Sequence, residues 1–402
     1  MRDLSDSDPL RDFVRSMELD VQTGAATVIL VDGRSESMAT SAMVANSPVR
    51  TMSYTPAEHS ATIVMMHGVE ATIPLAPLLG PSPVIDRPVV YLDQPHWSTL
   101  AWRLYGTREI PESQIGPADE LIRRAKAREI LLPISAGHAL ETSPQYGQRR
   151  QALASALLVL SGGWQMRHPI DVRLWEFEAV LAQGSSDISE TVKSDVFTPA
   201  TGSLFATNAM RPSEALRTDL SAQLNATVKL LSGVLAMFDI LMGPGADEAI
   251  KPVAWAEQYL NLSDDPSFRA LSRAQRRKEI RAHTVLDSSQ EIAMVAARHH
   301  VSADVATQQI FTSLNGGGRP LPFFALWEAA LQERLTNFGS KWEPNDLVDM
   351  MFLCCAGAYA DIVVGERKAT NYLNTTQKDL AVQHCPIVRT LGEAVELLDS
   401  LA

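Results

Sequence analysis

The sequence predicts an α/β fold: a parallel sheet flanked by helices, with a small β-rich region ahead of it and a large helical insertion within it. Three observations predict this. Two short apolar runs, Val89-Val90-Tyr91-Leu92 and Glu129-Ile130-Leu131-Leu132-Pro133-Ile134, enclose a helical stretch, and strand–helix–strand is the repeating unit of a parallel sheet. The first 85 residues carry strand-like runs instead. Residues from about 171 to 318 place apolar side chains at helical spacing.

In the first region, residues 1–85, Ala26 to Val31 reads as a strand ending at Asp32-Gly33. Ala61 to Met66 runs into His67-Gly68 and continues as Val69 to Leu75, a hairpin whose turn can use positive φ at Gly68. Ala76 to Pro88 contains Pro77, Pro81, Pro83 and Pro88 and reads as a linker. Residues 86–402 form the second region. Its first strand is Val89 to Leu92, followed by a polar stretch and a helix from Pro117 to Arg128. Asp119 and Glu120 lie early in that helix and basic residues late, an order that suits the helix dipole. The Glu129–Ile134 strand comes next, then a helix from Arg149 to Leu160 stopped by Gly162-Gly163.

The insertion holds a helix from Thr218 to Leu241, ended by Gly243-Pro244-Gly245. It also holds a basic run, Ser272 to Arg281, with Arg273, Arg276, Arg277, Lys278 and Arg281. That run has two readings, a face that grips phosphates or a solvated face partly balanced by Glu279. After Gly316-Gly317-Gly318 come helices from Pro322 to Asn337 and Asn345 to Ala358. A strand from Asp361 to Gly365, a short strand from Ile387 to Thr390 and a last amphipathic helix from Gly392 to Leu401 complete the chain. About four parallel strands are expected in all.

Composition narrows the function. A net charge of −12 over 402 residues argues against a protein that coats nucleic acid electrostatically. An enzyme acting on nucleic acid needs only a local basic groove, and bound metal ions offset acidic charge. The apolar runs Ala152–Leu160 and Met350–Ala358 fall far short of the roughly 20 residues of a membrane span, so no membrane partner is expected. The acidic start, Met1 to Asp8, lacks the apolar segment of a secretory signal, and the cytoplasm is the default expectation. Cys354, Cys355 and Cys385 lack the number and spacing for a disulfide framework or a zinc ribbon; the adjacent pair reads as small buried thiols.

The acids carry the chemistry. Asp93 follows a buried-strand run, and ligands of open parallel sheets bind beyond the carboxyl ends of the strands. Glu141 lies after the second strand; Asp346 and Asp349, three apart at a helix start, share a face; Asp361 begins a strand and Glu366 ends it. Such acids gathered at one edge raise each other's pKa unless a cation compensates, and Mg2+ or Mn2+ with oxygen ligands is the natural one. A metal-bound water then serves as nucleophile while the ion stabilises charge on a phosphoryl group. Each acid also has a plainer reading. Asp93 suits a turn or an N-cap before Pro95, Asp346 suits a helix cap, and Glu366 suits a surface ion pair with Arg367 or Lys368.

The pattern resembles the PIN-like domain, a family of metal-dependent nucleases that includes many toxin ribonucleases. Val89-Val90-Tyr91-Leu92-Asp93 matches the opening strand ending in aspartate, and Leu92-Asp93-Gln94-Pro95-His96-Trp97 is similar to a divergent branch. Glu141, in His138-Ala139-Leu140-Glu141-Thr142, matches the second acid, and Asp349, with Ala356 beyond it, the third. The fourth position is usually Thr-x-Asp and reads Gly365-Glu366-Arg367 here, with Asp361 as a substitute and Asp346 as a partner of Asp349. The resemblance covers about 86–170 and 320–400. It implies phosphodiester hydrolysis, with RNA the expected substrate, by catalytic Asp93, Glu141, Asp349 and Glu366 around Mg2+ or Mn2+. A protein regulator, or an inactive scaffold that binds nucleic acid or protein, are the family's other options. His96, His138 and Arg149 are candidate substrate contacts, although a lone histidine is more often structural and Arg149 and Arg150 also suit a helix surface. Trp97 and Trp342 suit base stacking or, more simply, core packing.

Overall fold

The computed structural model describes residues 11–39, 49–58, 60–66, 68–74, 84–182, 194–199, 203–204, 241, 253–339, 346–379 and 384–401. His67, Trp342, most of the expected linker, the Gly243-Pro244-Gly245 stop and the expected Thr218–Leu241 helix, Leu241 apart, lie outside these residues. The chain is mixed α/β and divides into two compact units that alternate along the sequence. One draws on Met1–Arg87, Gln94–Arg167 and Phe197–Ala249, the other on Pro88–Asp93, His168–Val196 and Ile250–Ala402. The division differs from a single boundary at residue 85.

The first unit opens with a six-stranded antiparallel sheet. Its strands are β1 (Val14–Asp20), β2 (Ala25–Leu30), β3 (Ser35–Ala39), β4 (Val49–Thr55), β5 (Ser60–Met65) and β6 (Glu70–Pro74), in the order β3-β2-β1-β4-β5-β6. The β5–β6 hairpin forms as expected, with Gly68 at φ 86. Side-chain alternation sets the register. Ser37, Thr27, Glu18, Ser53, Thr62 and Thr72 align in one polar row across all six strands. Met52, Tyr54, Ile63, Met65 and Ile73 point the other way and are buried. β7 (Val90–Leu92) belongs to the second unit.

Helices α1 (Gln94–Tyr105), α2 (Glu112–Lys126), α3 (Ala136–Thr142) and α4 (Gly147–Ser161) complete the first unit with a short ladder of β8 (Gln165–Met166) and β9 (Phe197–Thr198). Two differences from the sequence reading have plain causes. α2 begins after Pro111 rather than at Pro117, so Pro117 sits inside the helix at the loss of one backbone hydrogen bond. The Glu129–Ile134 run is buried from Ile130 onward but is not a regular strand. Pro133 offers no N–H to a ladder, and Ile134 makes a single parallel bridge to Gln165. α4 stops at Gly162, φ 55, as expected.

The second unit is built on a three-stranded parallel sheet, β11-β10-β7, with β10 at Ile362–Val364 and β11 at Ile387–Val388. Its register pairs Val363 with Tyr91 and with Ile387. Around it are α5 (Pro169–Leu181), α6 (Val253–Asp264), α7 (Pro266–Ala270), α8 (Arg273–Asp287), α9 (Ser289–Arg298), α10 (Ala303–Leu314), α11 (Pro322–Thr336), α12 (Asp346–Tyr359), α13 (Arg367–Asp379) and α14 (Leu391–Leu401). α11 is buried on almost every side, so its polar residues need partners inside the fold. Glu328 accepts from Arg281 at 2.6 Å and from Gln332 at 2.6 Å. Glu176 of α5 caps α11, accepting from the N–H groups of Phe323 at 2.7 Å and Phe324 at 2.9 Å and from the Tyr359 hydroxyl. Among the described residues no helix is long and apolar enough to cross a membrane.

Candidate functional site

The candidate acids fall into two sets, one in each unit. In the second unit, Asp93 lies one residue beyond β7 and Glu366 two residues beyond β10, at the carboxyl edge of the parallel sheet. The backbone ladder continues past β7, since the Asp93 N–H donates to the Val364 carbonyl at 2.9 Å. The Asp93 carboxylate then crosses to the neighbouring strand end and accepts from the Glu366 N–H at 3.2 Å. Parallel pairing of β7 with β10 therefore brings the two acids together. Glu366 is exposed, and its carbonyl accepts from the Thr370 N–H at 2.9 Å in the first turn of α13. Gly365 fits closely here: a Cβ would stand 3.2 Å from the Thr370 hydroxyl.

Asp361 lies one residue before β10, at the opposite end from Glu366. Its carboxylate accepts from the Val89 N–H at 2.8 Å at the amino end of the sheet, and five residues of extended chain span roughly 16 Å. It is a strand-end anchor, remote from Glu366.

Asp346 and Asp349 occupy the first turn of α12, as their spacing predicts. Asp346 is the meeting point of three helices: Arg334 of α11 donates at 2.6 Å and Lys368 of α13 at 2.9 and 3.0 Å. The Arg334 side chain is only 2% exposed, so the pair is largely removed from water. Arg334 is not singled out by the sequence, and Lys368 is read there only as an ion-pair partner of Glu366. The available signal was an arginine inside an otherwise apolar helix, which implies a buried partner.

In the first unit, Glu141 is half-buried in α3, and α3 is joined to the start of α1 by Gln94 Nε2 donating to Thr142 Oγ1 at 2.9 Å. His138 is buried and forms a reciprocal cap with Ser135. The Ser135 N–H donates to its Nδ1 at 3.0 Å and its own N–H donates to Ser135 Oγ at 3.4 Å. Its ring also packs edge-on against Trp97, centroids 6.0 Å apart. These contacts commit His138 to structure, and Trp97 is a fully buried core residue. His96 is half-buried on α1, and Arg149 is exposed on the first turn of α4.

Much of the basic run is engaged within its own unit, while Arg273 and Lys278 remain exposed. Arg273 and Arg277 share Glu333 at 3.2 and 3.6 Å, Arg281 reaches Glu328, and Arg276 lies over the Phe338 ring at 5.0 Å. Most of its charge ties α8 to α11 and its C-terminal end. Cys354 and Cys355 are buried free thiols, and burial pushes both well above the ordinary thiol range.

Among the described residues, no group of three or more His, Cys, Asp or Glu side chains is placed to hold a metal ion. The donor set at the sheet edge is the pair Asp93 and Glu366. That suits the way magnesium is commonly bound, by one or two carboxylates with waters and substrate phosphate rather than by an all-protein cage. No family model, curated protein or solved structure matches this chain.

Proposed function

We propose that this protein is a metal-dependent nuclease with a PIN-like core, hydrolysing phosphodiester bonds in RNA. The observation that carries the reading is the meeting of Asp93 and Glu366 at the carboxyl edge of the parallel sheet, held by the Glu366 N–H on the Asp93 carboxylate. Mg2+ or Mn2+ would be held by these two oxygens-donor side chains, and it would supply an activated water and charge stabilisation on the phosphoryl group. The protein's own part is to fix Asp93 against the strand end and to keep the edge open to solvent through exposed Glu366. Asp349, of the same unit, remains in the proposed set, with Asp346 behind it because two cations already neutralise it.

The experiment is cleavage of labelled single-stranded RNA and single-stranded DNA with manganese present. Asp93→Asn keeps the acceptor for the Glu366 N–H and removes the charge, so it should lower the rate on the order of 100-fold with the fold intact. Cleavage at an undiminished rate in both the variant and EDTA refutes the reading. A second reading, a catalytically inactive PIN-like scaffold that binds nucleic acid or a protein, is favoured by the engagement of Asp346 with Arg334 and Lys368. Absence of manganese binding by calorimetry, with RNA binding retained, would select it.

A further inference from the structure

A cavity of about 480 Å³ lies along the edge strand β11, outside the carboxylate pair, lined by residues of α13, β11, α14 and the segment before β11. Pro386, Ile387, Val388 and Leu397 form its apolar lining. Its polar lining is His384, Asn374, Glu393, Glu396 and Ser400. The donors among these polar groups are largely spent. Asn374 Nδ2 donates to the Ile387 carbonyl at 3.3 Å, and the Ser400 hydroxyl to the Leu397 carbonyl at 2.6 Å. His384 Nδ1 lies 2.6 Å from the Cys385 carbonyl, which can only accept, so Nδ1 carries the proton. In the neutral ring, Nε2 is then a bare acceptor, and it is buried without a hydrogen-bond partner among the described residues. Glu393 Oε2 is taken up by the N–H groups of Arg389 and Thr390 and the Thr390 hydroxyl, which leaves Oε1. Glu396 adds a full carboxylate on the next turn of α14.

A cavity that offers acceptors, two of them carboxylates, above an apolar floor calls for a donor-rich cation on an apolar stem. We propose that it is a binding site for a small alkylammonium or guanidinium ligand. Its head would lie among Glu396, Glu393 and Asn374, and its methylene stem against Ile387 and Leu397. The volume is in the range of ordinary small-ligand sites. The same chemistry is offered by a free polyamine and by a lysine or arginine side chain of a peptide, and the probes separate these sources.

Calorimetry on the full chain with spermidine, agmatine and an arginine-containing tripeptide, against pentanol and glutarate as neutral and anionic controls, tests the assignment. The cations should bind saturably and the controls should not. Glu396→Gln removes an exposed carboxylate and should weaken the cation at least about tenfold, the loss of one charge-assisted hydrogen bond. Ser400→Trp, which fills the cavity from an exposed position, should abolish binding. Spermidine or agmatine binding well above the tripeptide assigns a free amine; the reverse order assigns a side chain. No saturable cation binding, tighter binding of glutarate, or binding indifferent to both substitutions overturns the proposal.

Discussion

Glu176→Gln isolates one buried carboxyl in the second unit. Glu176 is 2% exposed, and burial pushes its carboxyl up from 4.5 to about 7. The Tyr359 hydroxyl and the N–H groups of Phe324 and Phe323 pull the other way without cancelling that cost. Between those two values the folded chain keeps a proton that the unfolded chain has released. The stability from this group is therefore complete below pH 4.5 and is lost as the pH rises through 7. At about 1.4 kcal/mol per pH unit, the interval from 4.5 to about 7 amounts to about 3 kcal/mol. Glutamine keeps two acceptor lone pairs but turns an NH2 towards one of three donors, a pH-independent penalty of about 1–3 kcal/mol. Urea unfolding of both proteins at several pH values between 4.5 and 8 gives the difference in stability, wild type minus variant. Hydrogen exchange at the Phe323 and Phe324 amides confines the measurement to this unit. The difference should fall by about 3 kcal/mol as the pH rises. A flat difference, or one that grows with pH, would show that the three donors hold Glu176 ionised and that the reasoning from burial is wrong.

Two further outcomes follow from the same unit. His168, at the start of α5, is held down to about 4 by burial, and its Nδ1 accepts from the Ile170 N–H at 3.3 Å. Its contribution is present above pH 6.5 and is lost as the pH falls through 4. His168→Asn keeps the capping acceptor, so the variant should lose less stability on acidification, by up to about 3 kcal/mol, in acid-unfolding curves. Asp346→Ala leaves the buried Arg334 without its carboxylate and should cost about 3 kcal/mol in urea unfolding, whereas Lys368→Met, at the exposed end of the same cluster, should cost under about 1 kcal/mol.

Strands β7 and β10 were legible because both faces are buried, which writes an uninterrupted apolar run into the sequence. The juxtaposition of Asp93 and Glu366 follows almost directly, since parallel neighbours place their carboxyl ends together. α1 was not legible. Its buried positions include Gln94, Ser98 and Thr99, with the Gln94 amide nitrogen on Thr142 and the Thr99 hydroxyl on the Pro95 carbonyl, and these polar residues mask the short apolar period of Trp97, Leu100 and Ala101. α13 hid for the same reason, burying Thr370 and Thr376 where a readable helix would show leucines.

Site residues divided along a different line. Spacing alone places Asp346 and Asp349 on one helix turn, but it says nothing about Arg334 or Lys368, which come from 12 positions before and 22 after and meet Asp346 only when three helices dock. That docking changes what Asp346 can do. A metal there must displace Lys368 and compete with an arginine that is itself out of water, and breaking such a pair costs more than an exposed ion pair returns. Asp93 is differently situated, since its carboxylate is steered by a backbone N–H of the neighbouring strand end, a contact that aspartate and asparagine can both accept. Charge at Asp93 is thus dispensable for that contact, which is why the Asp93→Asn comparison separates chemistry from folding where the same exchange at Asp346 could not.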